Sequence, residues 1–493
     1  MSIYTKLTDK FNSINNLGHL GSIAHWDSAA MMPEGGSAAR ADALAELAVL
    51  MHQKQTDSEI GELLSDVDAN NLSSIEQASV REMKSQYRDA TIINEDLVKA
   101  ISIAGSKCEN AWRSQRADND WKGFAPNLKE VVKLSREVAG IRADELGLTN
   151  YDALMEQFEP GMRSEVVDTI FADVLSWLPE MISTISEKQK SDSYVKLSGT
   201  YAVEKQKELG LAIMGKLGFD FNHGRLDVST HPFCGGVPTD VRITTRYDES
   251  DFTSALMGVI HETGHARYEQ GLPTEIGHLP VGQARSMAIH ESQSLFFEMQ
   301  IGRSREFLEN NLSLIQQLMN LDEATGSLDN MYSIYNRVSP GFIRVDADEV
   351  TYPIHIIMRY QIEKALINGE MEVDDIPDKW NESMSNYLGL STKDNYTNGC
   401  MQDIHWTDGS FGYFPSYTLG AMCAAQFKAT IAKKVPDFAA SVRTGNLDPI
   451  FSQLDSMIWK QASIYETDEL MTRATGETLN LNFFRQHLTE RYL

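Results

Sequence analysis

The sequence predicts a mainly α-helical fold built as one large unit. Three observations carry this. Apolar residues recur with helical period along most of the 493 residues, and only 14 prolines interrupt them. One stretch alone alternates with the period of a strand. No Pro/Gly/Ser-rich linker, internal repeat or low-complexity segment divides the chain, so residues 1–493 read as a single domain.

The elements follow in order. Leu44, Leu47, Ala48 and Met51 fall at i, i+3, i+4 and i+7, one face of a helix. Similar periodicity recurs over 76–104 and 126–147. Val167, Ile170, Phe171, Val174 and Leu178 mark the next helix, with Ser164 as its expected N-cap. Gly235-Gly236 is a turn signal. After it, Val241 to Tyr247 alternates with period two and is β-branched and aromatic on one face, which predicts a strand. Asp248-Glu249-Ser250-Asp251 supplies turn and N-cap chemistry for a helix backed by Phe252, Ala255, Leu256 and Val259. A further helix spans about Ala284 to Arg303, with Leu295, Phe296 and Met299 on its apolar face, and another spans 305–322.

Lys and Arg number 44 against 70 Asp and Glu, giving a net charge of −26. That charge disfavours nucleic acid and anionic membranes as partners. No apolar run reaches the length of a membrane span. The start, Met1-Ser2-Ile3-Tyr4-Thr5-Lys6-Leu7, shows no basic stretch followed by an apolar one, so no secretory signal is expected. Cys108, Cys234, Cys400 and Cys423 are scattered and form no CxxC pair, which suits a reducing cytoplasm and offers no thiolate zinc site. Met31, Met32 and the tryptophans are expected in the core. The acidic run Glu370 to Asp375 is expected in a solvated loop.

The chemistry concentrates in His261-Glu262-Thr263-Gly264-His265, which matches H-E-x-x-H. Histidines at i and i+4 stand one turn apart on one helix face and can share a tetrahedral zinc. Glu262, one residue round, is placed to reach a water on that metal. Gly258, one turn earlier, leaves room above it. The bland alternative is an ordinary helix with two satisfied histidines. A catalytic zinc needs a third protein ligand and an open position. The pattern H-E-x-x-H-x-x-G-x-x-H fails, because Tyr268 and Gly271 stand where Gly and His should be. Glu269, Glu275, Glu291 and Glu298 follow. Spacing favours Glu291, presented by a second helix packed antiparallel to the first, with His290 as the rival.

At this point the sequence resembles the carboxypeptidase Taq family of zinc metallocarboxypeptidases. The motifs stand in order: His231-Pro232-Phe233, Asp240-Val241-Arg242-Ile243-Thr244, His261 to His265, and His290-Glu291-Ser292-Gln293. Then come Ile343-Arg344-Val345-Asp346-Ala347-Asp348 and Gly399-Cys400-Met401-Gln402-Asp403-Ile404-His405-Trp406, running on to Gly412-Tyr413-Phe414-Pro415-Ser416-Tyr417. Trp26-Asp27, Met32-Pro33 and Gly35-Gly36 fit as well. The sequence departs from the pattern at Asp346, Ser416 and Ala421, none of which is an expected metal ligand.

The resemblance implies a helical, cleft-containing fold similar to neurolysin-type peptidases, with a small sheet beside the zinc helix. It implies a homodimer, one divalent metal ion per chain (zinc, with cobalt as the other option), and removal of single C-terminal residues from peptides. It assigns His261, His265 and Glu291 as ligands and Glu262 as general base. It places Tyr417, Tyr413 and His405 near the site as candidate oxyanion donors. A terminal carboxylate calls for an arginine fork, and Arg344 is the candidate. The alternative is that Asp346 or Asp348 holds it in a structural ion pair. Arg242 is expected at the far end of the cleft, unless it merely faces solvent, and His231 is either a substrate contact or structural. An oligoendopeptidase and a non-catalytic peptide-binding protein are the competing functions, and retention of Glu262 speaks against the second.

Overall fold

The computed structural model describes residues 1–493. It is mostly helix with one three-stranded sheet. The helices bury two large apolar clusters. The first gathers Phe124, Val131, Phe171, Leu178, Ile357 and Trp380, from the helices Trp121–Leu146, Ser164–Lys190, Tyr352–Ile367 and Ile376–Leu388. The second gathers Phe252, Ile260, Phe297, Leu308 and Leu454, from Phe252–Gly271, Phe296–Gly302, Arg305–Met319 and Asp448–Met457. Two helices lie on the seam. Met287–Leu295 sends Ala288 into the first cluster and Ile289 and Leu295 into the second. Pro415–Lys434 does the same with Leu419 and Met422 on one side and Cys423, Phe427 and Ile431 on the other.

The sheet has order β1–β3–β2, with β1 (Gly224–Val228) parallel and β2 (Cys234–Val237) antiparallel to β3 (Asp240–Thr245). Val241 and Ile243 point from β3 into a small cluster with Val259 and Ala266 of the Phe252–Gly271 helix. The sheet therefore lies against that helix, as expected. Asp251 caps the helix by accepting from Thr253 N at 2.8 Å. No helix is long and apolar enough to cross a membrane.

Several local expectations need correction. Gly235-Gly236 lies inside β2, because adjacent glycines carry no side-chain period that marks a strand. Residues 76–104 are two helices, Ser74–Thr91 and Glu95–Ala117, divided where Asn94 caps the second. Ser164 is the first helical residue rather than the cap, and its N–H is taken by Asp152 Oδ1 at 2.6 Å. The helix over Leu44 to Met51 forms, yet buries none of its residues. Met31 is 54% exposed, not core. The run Glu370 to Asp375 is pinned more than expected. Val373 is buried, and Glu372 and Asp374 pair with Arg136 and Lys129.

Candidate metal centre and cleft

The helix Phe252–Gly271 runs antiparallel to Met287–Leu295 and its continuation Phe296–Gly302, and the contacts pair residues in opposite order. His261 faces Glu298, His265 faces Glu291, and Glu269 faces His290. Gly264 permits this approach. A Cβ there would stand 2.5 Å from Gln293 O and 2.6 Å from Ser294 Cα.

His261, His265 and Glu291 are thereby brought together, with one ligand atom from each within 4.8 Å of the others. Glu291 Oε2 lies 3.3 Å from His265 Nε2 and 3.8 Å from His261 Nε2. A tetrahedral zinc with bonds of about 2.1 Å needs donors about 3.4 Å apart, so the donor set and its spacing fit a divalent metal. The rival His290 is turned to Glu269, 2.8 Å from its Oε1, and stacks on His265 with centroids 4.6 Å apart. Ser294 Oγ donates to Glu291 Oε2 at 3.1 Å.

Glu262 is buried beside this cluster, and its Oε2 has no hydrogen-bond partner. Burial pushes its carboxyl up to about 7. A carboxylate left unpartnered next to three metal-type donors is equipped to hold a proton transiently. No side chain approaches Gly258 within 4 Å of an added Cβ, so the space expected there exists.

A second group stands across the seam. Arg344 Nε donates to Asp403 Oδ1 at 2.8 Å and Nη1 to Tyr352 Oη at 2.8 Å. Its guanidinium lies 5.2 Å from the centroid of Tyr417 and 5.4 Å from that of Phe414. The expected alternative partners are therefore not the ones found, and Asp348 instead accepts from Val350 N and Thr351 N. His405 Nε2 lies 3.3 Å from Tyr417 Oη, and Tyr413 packs edge-on to Tyr417 at 5.2 Å. Burial, then Arg344, pushes His405 down to about 4. Burial, then the Glu291 carboxylate, pushes Tyr413 up to about 12. Glu291 also acts on Tyr352 and Tyr417, so these phenols lie within electrostatic reach of the metal cluster.

Neither His231 nor Arg242 shares a hydrogen bond or an ion pair with either group. His231 is exposed. Arg242 is not simply solvent-facing. It makes two 2.8 Å bonds to Asp240 and lies 4.7 Å from the ring centroid of Trp26. Sequence reasoning missed Tyr352, Arg359 and Glu298. The first two lie outside the family motifs, and spacing offers Glu298 only as a ligand.

The model of the Carboxypeptidase Taq (M32) metallopeptidase family matches residues 6–492. The chain belongs to this family. It is 38% identical to Thermostable carboxypeptidase 1 of Thermus thermophilus, over 97% of this chain and 95% of that one. It is 35% identical to Carboxypeptidase 1 of Bacillus subtilis, over 100% and 99%. Among solved structures, Trypanosoma cruzi metallocarboxypeptidase 1 superposes with a TM-score of 0.98 at 42% identity, covering 99% of each chain. This M32 chain is thus a metallocarboxypeptidase, a peptide hydrolase that uses a divalent metal.

Proposed function

We propose that this M32 chain removes single C-terminal residues from peptides with one zinc ion held by His261, His265 and Glu291. The observation that carries this is the three-donor cluster with the unpartnered Glu262 oxygen beside it. When bound, such an ion supplies a Lewis acid and brings the pKa of a coordinated water toward neutrality. Glu262 takes a proton from the attacking water and passes it to the leaving amine nitrogen. Tyr417, Tyr413 and neutral His405 are the donors available to the developing oxyanion. Arg344 binds the terminal carboxylate, aimed by Asp403 and Tyr352. Arg242, on β3, lines the far end of the cleft, and His231 is a further candidate for a substrate contact.

The proposal extends to a single catalytic domain, a homodimer and a reducing cytoplasm. The family likeness supports the dimer, and the four free thiols suit that compartment. Metal analysis together with a timed peptide digest read by mass spectrometry tests the reading. One zinc per chain and a ladder of products shortened one residue at a time from the C-terminus are expected. Internal fragments would overturn it in favour of an endopeptidase.

A further inference from the structure

We infer that Glu298 is a positioning residue for His261 and that Arg303 locks it in place. The inference rests on His261 being a metal ligand, as proposed above. His261 presents Nε2 to the Glu291 oxygen, and behind it Nδ1 donates to Glu298 Oε2 at 2.9 Å. The other oxygen of Glu298 accepts from Arg303 Nη2 at 2.7 Å and from Nε at 3.2 Å. Arg303 is itself fixed from the far side, since its Nη1 donates to Tyr335 O at 2.7 Å. Glu298 is buried, so its partners are not exchanged for water. The chain from ring to carboxylate to guanidinium therefore has one arrangement.

The backbone supplies an independent observation. Glu298 lies in a seven-residue π-helical segment, Phe296–Gly302, that follows directly on the helix carrying Glu291. Such segments are rare, and they frequently occur at functional sites. In a regular helix, positions seven apart share a face. Glu298 therefore stays on the Glu291 side, and the widened turn brings Arg303, five residues further on, over Glu298, with Arg303 N donating to Glu298 O at 2.9 Å.

The two histidines differ in this respect. His265 Nδ1 is buried and has no partner. Only His261 is held from behind. A carboxylate accepting from Nδ1 fixes the tautomer that leaves Nε2 free, aims the ring and strengthens it as a donor. With no counterpart on His265, nothing else in the cluster compensates for its loss.

The test uses the full-length protein, stripped of metal and titrated with zinc against a chelating indicator. Thermal unfolding of the metal-free protein is recorded in parallel. Glu298→Gln should weaken zinc binding by about 10–100-fold, while the wild type takes up one ion per chain. Arg303→Lys, which keeps the charge but loses the fork, should weaken it in the same direction and by less. It serves as the second variant if Glu298→Gln fails to fold. Zinc affinities within twofold of the wild type overturn the inference. So does a lowered melting temperature with unchanged affinity of the folded protein, because that is the signature of a purely structural ion pair. A wild type that takes up no zinc overturns the ligand assignment itself, and this inference with it.

Discussion

Gly420 lies so close to Glu291 that a Cβ on it would stand 2.9 Å from both the Cβ and the Cγ of that side chain. The same Cβ would be 3.1 Å from Ala288 O. The helix bearing Tyr417 is thus seated directly on the residue that completes the donor cluster. Gly420→Ala should push Glu291 off His265. Overpacking of this kind costs about 1–3 kcal/mol, roughly 5–150-fold if it all appears in metal affinity. A zinc titration of Gly420→Ala reads it. Wild-type affinity with a lowered melting temperature would mean that the helices part elsewhere and leave the donors undisturbed.

Glu262→Gln tests the base. The substitution keeps the shape but cannot accept a proton. Glu262 contributes no atom to the donor cluster, so metal content should be unchanged. The expected loss in kcat is roughly 10²–10⁴-fold. Near-wild-type turnover would assign water activation to another group.

The parts of this site that were legible in the sequence are those encoded by local spacing. His261 and His265 at i and i+4 define a face whatever surrounds them. Glu291 could be chosen because an antiparallel second helix is the simplest way to deliver a carboxylate, and that is how the helices pack. Arg344 could be suspected from chemical need and motif, but its partner could not. Asp403 is 59 positions away and reaches Arg344 only through tertiary packing. Glu298 illustrates the same limit. The sequence offers it only as a ligand, because spacing cannot tell the near side of an imidazole from the far side. The short strands β1 and β2 were missed for a different reason. Each is too brief, and β2 too glycine-rich, to show an alternating pattern.

Acid should unfold the protein partly through the Arg344 cluster. Asp403 accepts from Arg344 and from Arg359, at 2.8 and 2.6 Å respectively. Burial opposes its charge, but the two guanidiniums outweigh burial and hold the carboxyl well below the usual carboxylate range. His355 and His405 face the same cluster, and burial, aided by the arginines, pushes them down to about 3 and about 4. The unfolded chain binds these protons first. Stability from the histidines therefore falls as pH drops below about 6.5, and that from Asp403 is present above about pH 4 and lost below it. Asp403→Asn leaves two buried guanidiniums short of their counter-charge, a change that typically costs about 3–5 kcal/mol. Its deficit against the wild type, followed by urea unfolding, should be constant from pH 7 to 5 and shrink below pH 4. A deficit independent of pH down to 3 would show that Asp403 is not the charged partner.

Arg344 decides the question of exopeptidase recognition. Its Nε is spent on Asp403 and its Nη1 on Tyr352, while Nη2 donates to no protein group. The guanidinium is therefore aimed by two fixed contacts and retains one donor edge among Tyr417, Phe414 and Tyr352. A bracing arginine would spend its fork on the brace. If that edge takes the terminal carboxylate, a peptide with a free C-terminus should be cleaved far better than its amide. Arg344→Ala should erase most of that preference, through a loss of about 1.5–3 kcal/mol in kcat/KM for the free acid and little for the amide. Arg344→Lys should restore only part, because an ammonium is a point charge without the planar fork. Removing Arg344 also leaves Asp403 with Arg359 alone, so the melting temperature should fall in either case. The ratio of the two substrates separates the roles, since a destabilised scaffold loses both equally. A variant that melts early yet keeps the wild-type preference for the free acid would move carboxylate recognition away from Arg344, and His231 would be the next residue to change.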